Sequence, residues 1–128
     1  MITTSNLIDT FISLNEISMF HRVRFNSQEA LEIPQLKEII EEINSLIPLM
    51  NYPIGNNPNH GKPHHTFDIG KEYSTVIYVN VVKAYMPKDF SYDKLRSQIE
   101  KIAIKHYADE KDVIENTPSF FQMRIWWD

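Results

Sequence analysis

The sequence contains no cysteine and only three glycines among its 128 residues. Without thiols there can be no disulfide scaffold, no thiolate zinc site and no cysteine nucleophile. The glycines, Gly55, Gly61 and Gly70, stand too far apart to form a loop that cradles phosphate groups. Protein classes that depend on these features are therefore excluded.

The sequence also lacks a basic excess and a long apolar run. Its net charge is −4 and its pI is about 5.7, which argues against nucleic acid because dedicated binders usually carry excess positive charge. No stretch reaches the roughly 18–20 apolar residues that span a bilayer. The N-terminus has neither the positive region nor the apolar region of a signal peptide. We therefore expect a cytoplasmic protein with no membrane partner.

The composition is typical of one globular domain. Hydrophobic residues make up 42% and charged residues 23% of the chain, both close to the globular average. The length is near the common domain size and suffices for one hydrophobic core. No repeat, low-complexity tract or linker divides the chain, so we predict that residues 1–128 form a single domain.

Changes in the spacing of apolar residues predict the first half of the fold. A short N-terminal helix with Ser5 as its cap is followed by a strict alternation from residue 17 to residue 25, typical of a strand with one buried face. An apolar stripe at helical spacing then begins after Pro34, which suits the first turn of a helix, and Pro48 closes it. These patterns predict helix, strand and helix.

The second half begins with two predicted strands. His65–Ile69 and Ser74–Met86 are joined by a turn at Gly70-Lys71, and the second strand is rich enough in valine, isoleucine and tyrosine to be central. A helix follows, with Ser91 as its N-cap and with Phe90 and Leu95 placed as a hydrophobic staple.

The last segments complete the predicted order. Residues 109–116 are expected to add a further helical turn, and residues 120–127 alternate again as a strand after Pro118. Apart from the first helix, the order is β-α-β-β-α-β, which fits the ferredoxin-like split βαβ arrangement with both helices on one face. We predict an α+β, single-domain ferredoxin-like antiparallel sheet with an extra short N-terminal helix.

Three of the five histidines lie within six residues, in the long connection before the second strand. His60 and His64 have the i, i+4 spacing of two metal ligands on one helix face. However, Gly61 and Pro63 disfavour a helix at this position. A solvated polar turn is therefore the preferred interpretation, with His60 and His64 as the candidates for a metal site.

The same histidines are the candidates for acid–base chemistry. A dyad of His64 with Asp68 is excluded because four strand residues span about 13 Å. His64 or His65 could still act singly in a ligand or catalytic pocket. His21 lies on the apolar side of the first predicted strand, where a core histidine with one hydrogen-bond partner is the usual explanation. The alternative is a buried pair of His21 with His106 that titrates as one unit.

Three of the four arginines lie on strand faces predicted to point away from the helices. In a ferredoxin-like sheet the first and last strands are neighbours, so these arginines would join three aromatic residues in one partner-binding surface: Phe20, Arg22, Arg24, Phe120, Arg124 and Trp126. Arginine and aromatic residues are enriched in interface hot spots. The alternatives are a sheet face that simply attracts aromatics, cover by the N-terminal helix, or a stacking platform for single-stranded nucleic acid.

Size, mild acidity and the lack of a catalytic motif favour a non-enzymatic protein that binds a protein partner stoichiometrically, as inhibitors, immunity proteins and antitoxins do. The negative charge would suit a basic partner. The alternative is a small cofactor-less enzyme or ligand-binding domain on a dimeric ferredoxin-like scaffold, using the loop histidines. A homodimer is compatible with both hypotheses, and no cofactor is expected.

Overall fold

The computed structural model describes residues 22–48 and 65–127, which contain five strands and two α-helices. In chain order they are β1 (Arg22–Asn26), α1 (Lys37–Asn44), β2 (Thr66–Glu72), β3 (Ser74–Val82), α2 (Tyr92–Lys105), β4 (Glu110–Asn116) and β5 (Phe120–Trp126). Short 3₁₀ turns, Glu29–Glu32 and Lys83–Tyr85, lie ahead of the two helices. The predicted N-terminal helix and the first part of the first predicted strand lie outside the described residues.

The strands form one sheet in the order β1-β2-β3-β5-β4, and every neighbouring pair is antiparallel. The α+β class with an antiparallel sheet is thus confirmed, but the ferredoxin-like order is not. That order would place the first strand beside the last, whereas β2 and β3 separate β1 from β5. The difference arises because β5 pairs with both β3 and an additional strand, β4.

The additional strand occupies residues 110–116, where the sequence pattern predicted a helical turn, so that prediction is wrong. Helix α2 ends at Lys105, and Tyr107 has a φ of 62°. A left-handed residue just after the last turn ends a helix because it points the chain away from the helix axis. The chain then forms β4 and returns as β5, with the Thr117 N–H donating to the Phe120 carbonyl at 3.0 Å across the turn.

The turn between β2 and β3 lies at Tyr73, not at Gly70-Lys71 as predicted. Gly70 is buried within the sheet, paired with Arg22 on one side and Val76 on the other. Tyr73 has a φ of 66°, the left-handed conformation that a tight turn requires. The prediction of a central strand is confirmed, because β3 lies in the middle of the sheet.

Both helices supply side chains to a core on one face of the sheet. The alternation predicted for the last strand is confirmed, since Phe121, Met123 and Ile125 are fully buried while their neighbours face the other way. Helix α1 begins three residues after Pro34 and packs against the core with Ile39, Ile40 and Ile43. We call the sheet face turned away from the helices the open face.

The start of α2 is as predicted. The Ser91 hydroxyl accepts a hydrogen bond from the Lys94 N–H at 3.1 Å, which satisfies one of the unpaired donors at a helix N-terminus. Leu95 belongs to the core and Phe90 packs against it; their packing against each other as a hydrophobic staple stays a prediction. Among the residues that the structure describes, no helix is long and apolar enough to cross a membrane.

Two isoleucines of α2 provide a matched test of this packing. Ile99 is fully buried, whereas Ile104 is 60% exposed. We expect Ile99→Ala to lower the free energy of unfolding by about 2–5 kcal/mol, because it removes buried methyl groups and leaves a cavity. Ile104→Ala should stay within about 0.5 kcal/mol of the wild type. Chemical denaturation measures both, and equal losses would contradict the described orientation of α2.

Candidate functional site

The predicted partner-binding arginines share the open face, but β1 and β5 are not the neighbouring strands that the ferredoxin-like order would make them. Arg22 and Arg24 lie on β1, and Arg124 lies on β5 with Trp126. Between β1 and β5 there are three strand spacings, about 14 Å in all. Phe20 lies outside the described residues.

Arg24 is paired with the acidic residue opposite it on β2. Its Nε and Nη2 atoms donate to the two carboxylate oxygens of Asp68 at 2.8 and 3.1 Å, and the two residues are register partners. The hydrogen bond to Asp68 raises the pKa of Arg24. A bidentate pair of this kind fixes the guanidinium and neutralises it within the sheet.

Arg124 joins three strands of the open face. Its Nε donates to Glu72 Oε1 at 2.9 Å and its Nη1 to Glu110 Oε1 at 2.9 Å. The other oxygen of Glu72 accepts the Tyr78 hydroxyl at 2.6 Å, and the Arg22 guanidinium lies 4.2 Å from the centre of the Tyr78 ring. We call Arg22, Glu72, Tyr78, Glu110 and Arg124 the open-face network.

The aromatic members of the predicted surface are also engaged internally. The Trp126 indole N–H donates to the Glu72 carbonyl at 2.7 Å, and Phe120 is half-buried. Tyr78 is buried although it points away from the helices, and the Arg124 side chain is only 15% exposed. Hot-spot residues contribute by burying new area on binding. The centre of the open face has little exposed area left to bury, so its role as an interface stays a prediction.

Glu72 is the electrostatic centre of the open-face network. Burial raises the pKa of its carboxyl group, but hydrogen bonds from Tyr78 and Arg124 outweigh burial and hold the pKa below its ordinary value. Burial, followed by the hydrogen bond to Glu72, raises the pKa of the Tyr78 hydroxyl. At neutral pH the network therefore contains a carboxylate, a protonated phenol and a guanidinium.

The depressed pKa of Glu72 predicts a loss of stability in acid. A carboxyl group with a folded-state pKa below its unfolded value contributes stability above the unfolded pKa, near 4.3, and that stability is lost as the pH falls through the folded pKa. Denaturation curves between about pH 7 and pH 3 should show this decline. Glu72→Gln should be less stable at pH 7 and should lose less stability on acidification. Tyr78→Phe removes one cause of the lowered Glu72 pKa, so its free energy of unfolding should change with pH by an intermediate amount. If both variants lose as much stability in acid as the wild type, Glu72 is not the source of the loss.

His65 is buried, not part of the solvated turn that the sequence pattern favoured. Its Nε2 lies 2.5 Å from Asn44 Oδ1, and the Asn44 amide donates to the Ser27 carbonyl at 3.1 Å. Its ring meets Phe67 edge-to-face, with centroids 5.5 Å apart. His65 therefore connects β2 to α1 and packs against the core. His21, His60 and His64 lie outside the described residues.

A second polar cluster connects the two helices. The ligand atoms of Glu38, Glu42 and His106 lie within 4.8 Å of one another, a spacing that could suit a cation. The Lys105 ammonium group already lies there, 2.8 Å from Glu42 Oε1 and 3.9 Å from Glu38 Oε1. The hydrogen bond from Lys105, with a further one from His106, lowers the pKa of Glu42. The cluster is best described as an interhelical ion pair.

Most of the exposed large apolar residues lie at the end of α2, just after it, and on β4, a region that we call the α2–β4 corner. Of the five large hydrophobic residues that are exposed in the described part of the chain, four lie between residues 104 and 114. We call these four the edge patch: Ile104, Tyr107, Val113 and Ile114. Ile104 is one helical step, about 100°, from Lys105, which faces α1, and α2 contacts β4. The patch therefore extends from the end of α2 into β4.

Acidic residues are interspersed with the edge patch along the sequence. Residues 109–116 contain four acidic residues and one lysine, and the side chains of Glu110 and Asp112 are 51% and 61% exposed. In the ranges that the structure covers, β4 pairs with β5 and with no other strand. This corner thus combines exposed apolar area, negative charge and a sheet edge.

The sequence interpretation missed this corner because it assigned residues 109–116 to a helix. Two signals favour a strand instead: the adjacent β-branched residues Val113 and Ile114, and Pro118-Ser119 placed as a two-residue turn before the next strand. The alternation is weak because an edge strand buries few side chains.

Comparisons with known proteins add no assignment: no protein-family model matches the chain, and no significant match was found among curated proteins or solved structures. The functional inference therefore rests on the geometry and chemistry of the described residues.

Proposed function

We propose that the protein acts by stoichiometric binding to a protein partner, as an inhibitor or an immunity- or antitoxin-like regulator does, and that it binds through the edge patch. The observation that carries the proposal is the clustering of exposed apolar residues between residues 104 and 114. Single exposed apolar residues are ordinary, but several on successive elements, interspersed with charged residues, are typical of an interaction site.

The charge around the edge patch favours a basic partner. Four acidic residues against one lysine in residues 109–116 give this segment a net charge of −3, within a chain whose net charge is −4. Opposite charges at the rim accelerate association and reject partners of like charge. If two copies met patch to patch about a two-fold axis, their acidic residues would face one another. A basic heterologous partner therefore fits better than a homodimer.

The edge patch also fits better than the predicted arginine surface. Arg124 neutralises Glu72 and Glu110. Arg124→Ala would leave Glu110 without this counter-charge and Glu72 with only the more distant Arg22, at 4.0 Å, and would therefore weaken the fold as well as any interface. If that substitution weakened binding, a lost contact with the partner and a weakened fold could not be told apart. The residues of the edge patch are exposed, and replacing them leaves the core intact.

Two tyrosines provide a matched test of the proposal. Tyr107 and Tyr73 are 87% and 66% exposed, and both have left-handed backbone conformations, but Tyr73 lies on the β2–β3 turn outside the patch. A partner recovered from the native cell by affinity capture should form a 1:1 complex in light scattering. Tyr107→Ser combined with Ile104→Ser should raise its Kd at least tenfold, about 1.4 kcal/mol, because both side chains lose their buried area.

Tyr73→Ser is the control and should leave the Kd within twofold of the wild type. Thermal denaturation of each variant should show an unchanged fold. If the recovered partner binds the double variant as tightly as the wild type, the patch is not its binding site. If no stoichiometric complex forms with the wild type, the proposed class of function is wrong.

A further inference from the structure

The outer edge of β4 is a second feature of the proposed binding corner. Within residues 22–48 and 65–127 only β5 pairs with this strand. Most residues of β4 are exposed, and a strand of seven residues is about 23 Å long. A sheet edge presents backbone N–H and C=O groups that can pair with an added strand.

The side chains of β4 determine which added strand would fit. Glu110 and Asp112 pair in register with Trp126 and Arg124 of β5 and so lie on the open face. Lys111 and Val113 lie on the helix side, as partners of core residues. Side chains directly opposite each other on neighbouring strands lie about 4.5–5.5 Å apart. An incoming strand would therefore place alternate residues beside two carboxylates and the residues between them beside Val113.

The irregularity of β4 restricts the pairing. The register shifts between Val113 and Glu115, so that Ile114 is an extra residue without a direct partner on β5. Bulges and charges on an edge oppose indiscriminate strand pairing.

Regular pairing is left to the four residues Glu110–Val113, and an acidic strand would be repelled there. Glu110 and Asp112 lie 2.9 and 3.9 Å from Arg124, but their side chains remain 51% and 61% exposed. Because residues 109–116 carry a net charge of −3, the charge at this edge favours a basic strand over an acidic one.

We infer that β4 receives an extended segment of the partner in which basic and apolar residues alternate, so that the segment continues the sheet as a sixth strand beside Glu110–Val113. The inference rests on the proposed function and specifies its mode of binding. Lysine or arginine side chains of the segment lie beside Glu110 and Asp112 on the open face. The apolar side chains lie on the helix side, where Val113 is exposed.

A designed peptide tests the mode of binding without the natural partner. The probe is a peptide of four Lys-Val repeats, titrated into the full ¹⁵N-labelled chain and followed by NMR. We expect saturable shifts confined to β4, β5 and the edge patch, and at least tenfold slower hydrogen exchange at amides of residues 110–113. The same peptide with N-methyl groups at alternate residues along its pairing edge should bind at least tenfold more weakly, because it loses backbone donors but keeps its charge.

A charge-matched pair of variants isolates the two carboxylates. The double variant Glu110→Gln with Asp112→Asn should raise the Kd of the peptide about tenfold. Glu32→Gln with Glu41→Gln removes the same charge from exposed positions of the 3₁₀ turn and α1 and should leave the Kd within twofold. A peptide of the same composition with all lysines preceding all valines should bind at least tenfold more weakly than the alternating one.

Three results would overturn strand addition: equal binding of the N-methylated peptide, shifts that map away from β4, or no binding at millimolar peptide. None of them bears on the proposed function, whose test measures a natural partner against Tyr107 and Ile104. If the patch variants weaken binding of the natural partner while hydrogen exchange at the β4 amides stays as fast as in the free protein, the partner docks through side chains alone. If the peptide behaves as expected but no stoichiometric partner exists, the edge is a peptide-binding site and the regulator proposal fails.

Discussion

The pairing of β5 with both β3 and β4 is the constraint on which the other features of the structure depend. Because β5 lies between them, β3 and β4 are parallel and need the crossover helix α2. The same pairing separates β1 from β5, places Arg124 between Glu72 and Glu110, and leaves β4 at the edge of the sheet. Loss of the β4–β5 hairpin would therefore disturb the open-face network and the edge patch together.

The internal pairing of the arginines explains why the proposed interface lies away from them. A guanidinium contributes to binding when it can exchange water for a partner's oxygens, and a partner of Arg24 or Arg124 would first have to displace Asp68 or Glu72. These ion pairs act instead across strands and hold the sheet in register. Negative charge is left in excess on β4, where Glu110 and Asp112 are exposed.

Patterns among neighbouring residues correctly predicted the elements that depend on burial of one face or on a capping residue. The alternation of β5, the centrality of β3 and the Ser91 cap follow from neighbouring residues and are confirmed. The strand order and the β4 strand do not follow from such signals, because edge residues bury little and pair with a strand further along the chain. The contact of Arg124 with Glu72 joins residues 52 positions apart, a relation that no periodicity in a single sequence reveals.

Two features of β4, its bulge and its carboxylates, oppose pairing of this edge with a second copy of itself. An exposed edge next to Ile114 and Val113 would favour aggregation if it were flat and uncharged. The bulge shortens the regular edge, and the carboxylates on the open face repel a second copy of the same edge. Neither feature excludes a strand that is short and basic. A short strand fits beside the regular part of the edge, and a basic strand is attracted by the carboxylates. The features that would oppose pairing with a second copy are therefore those that would admit the proposed basic partner.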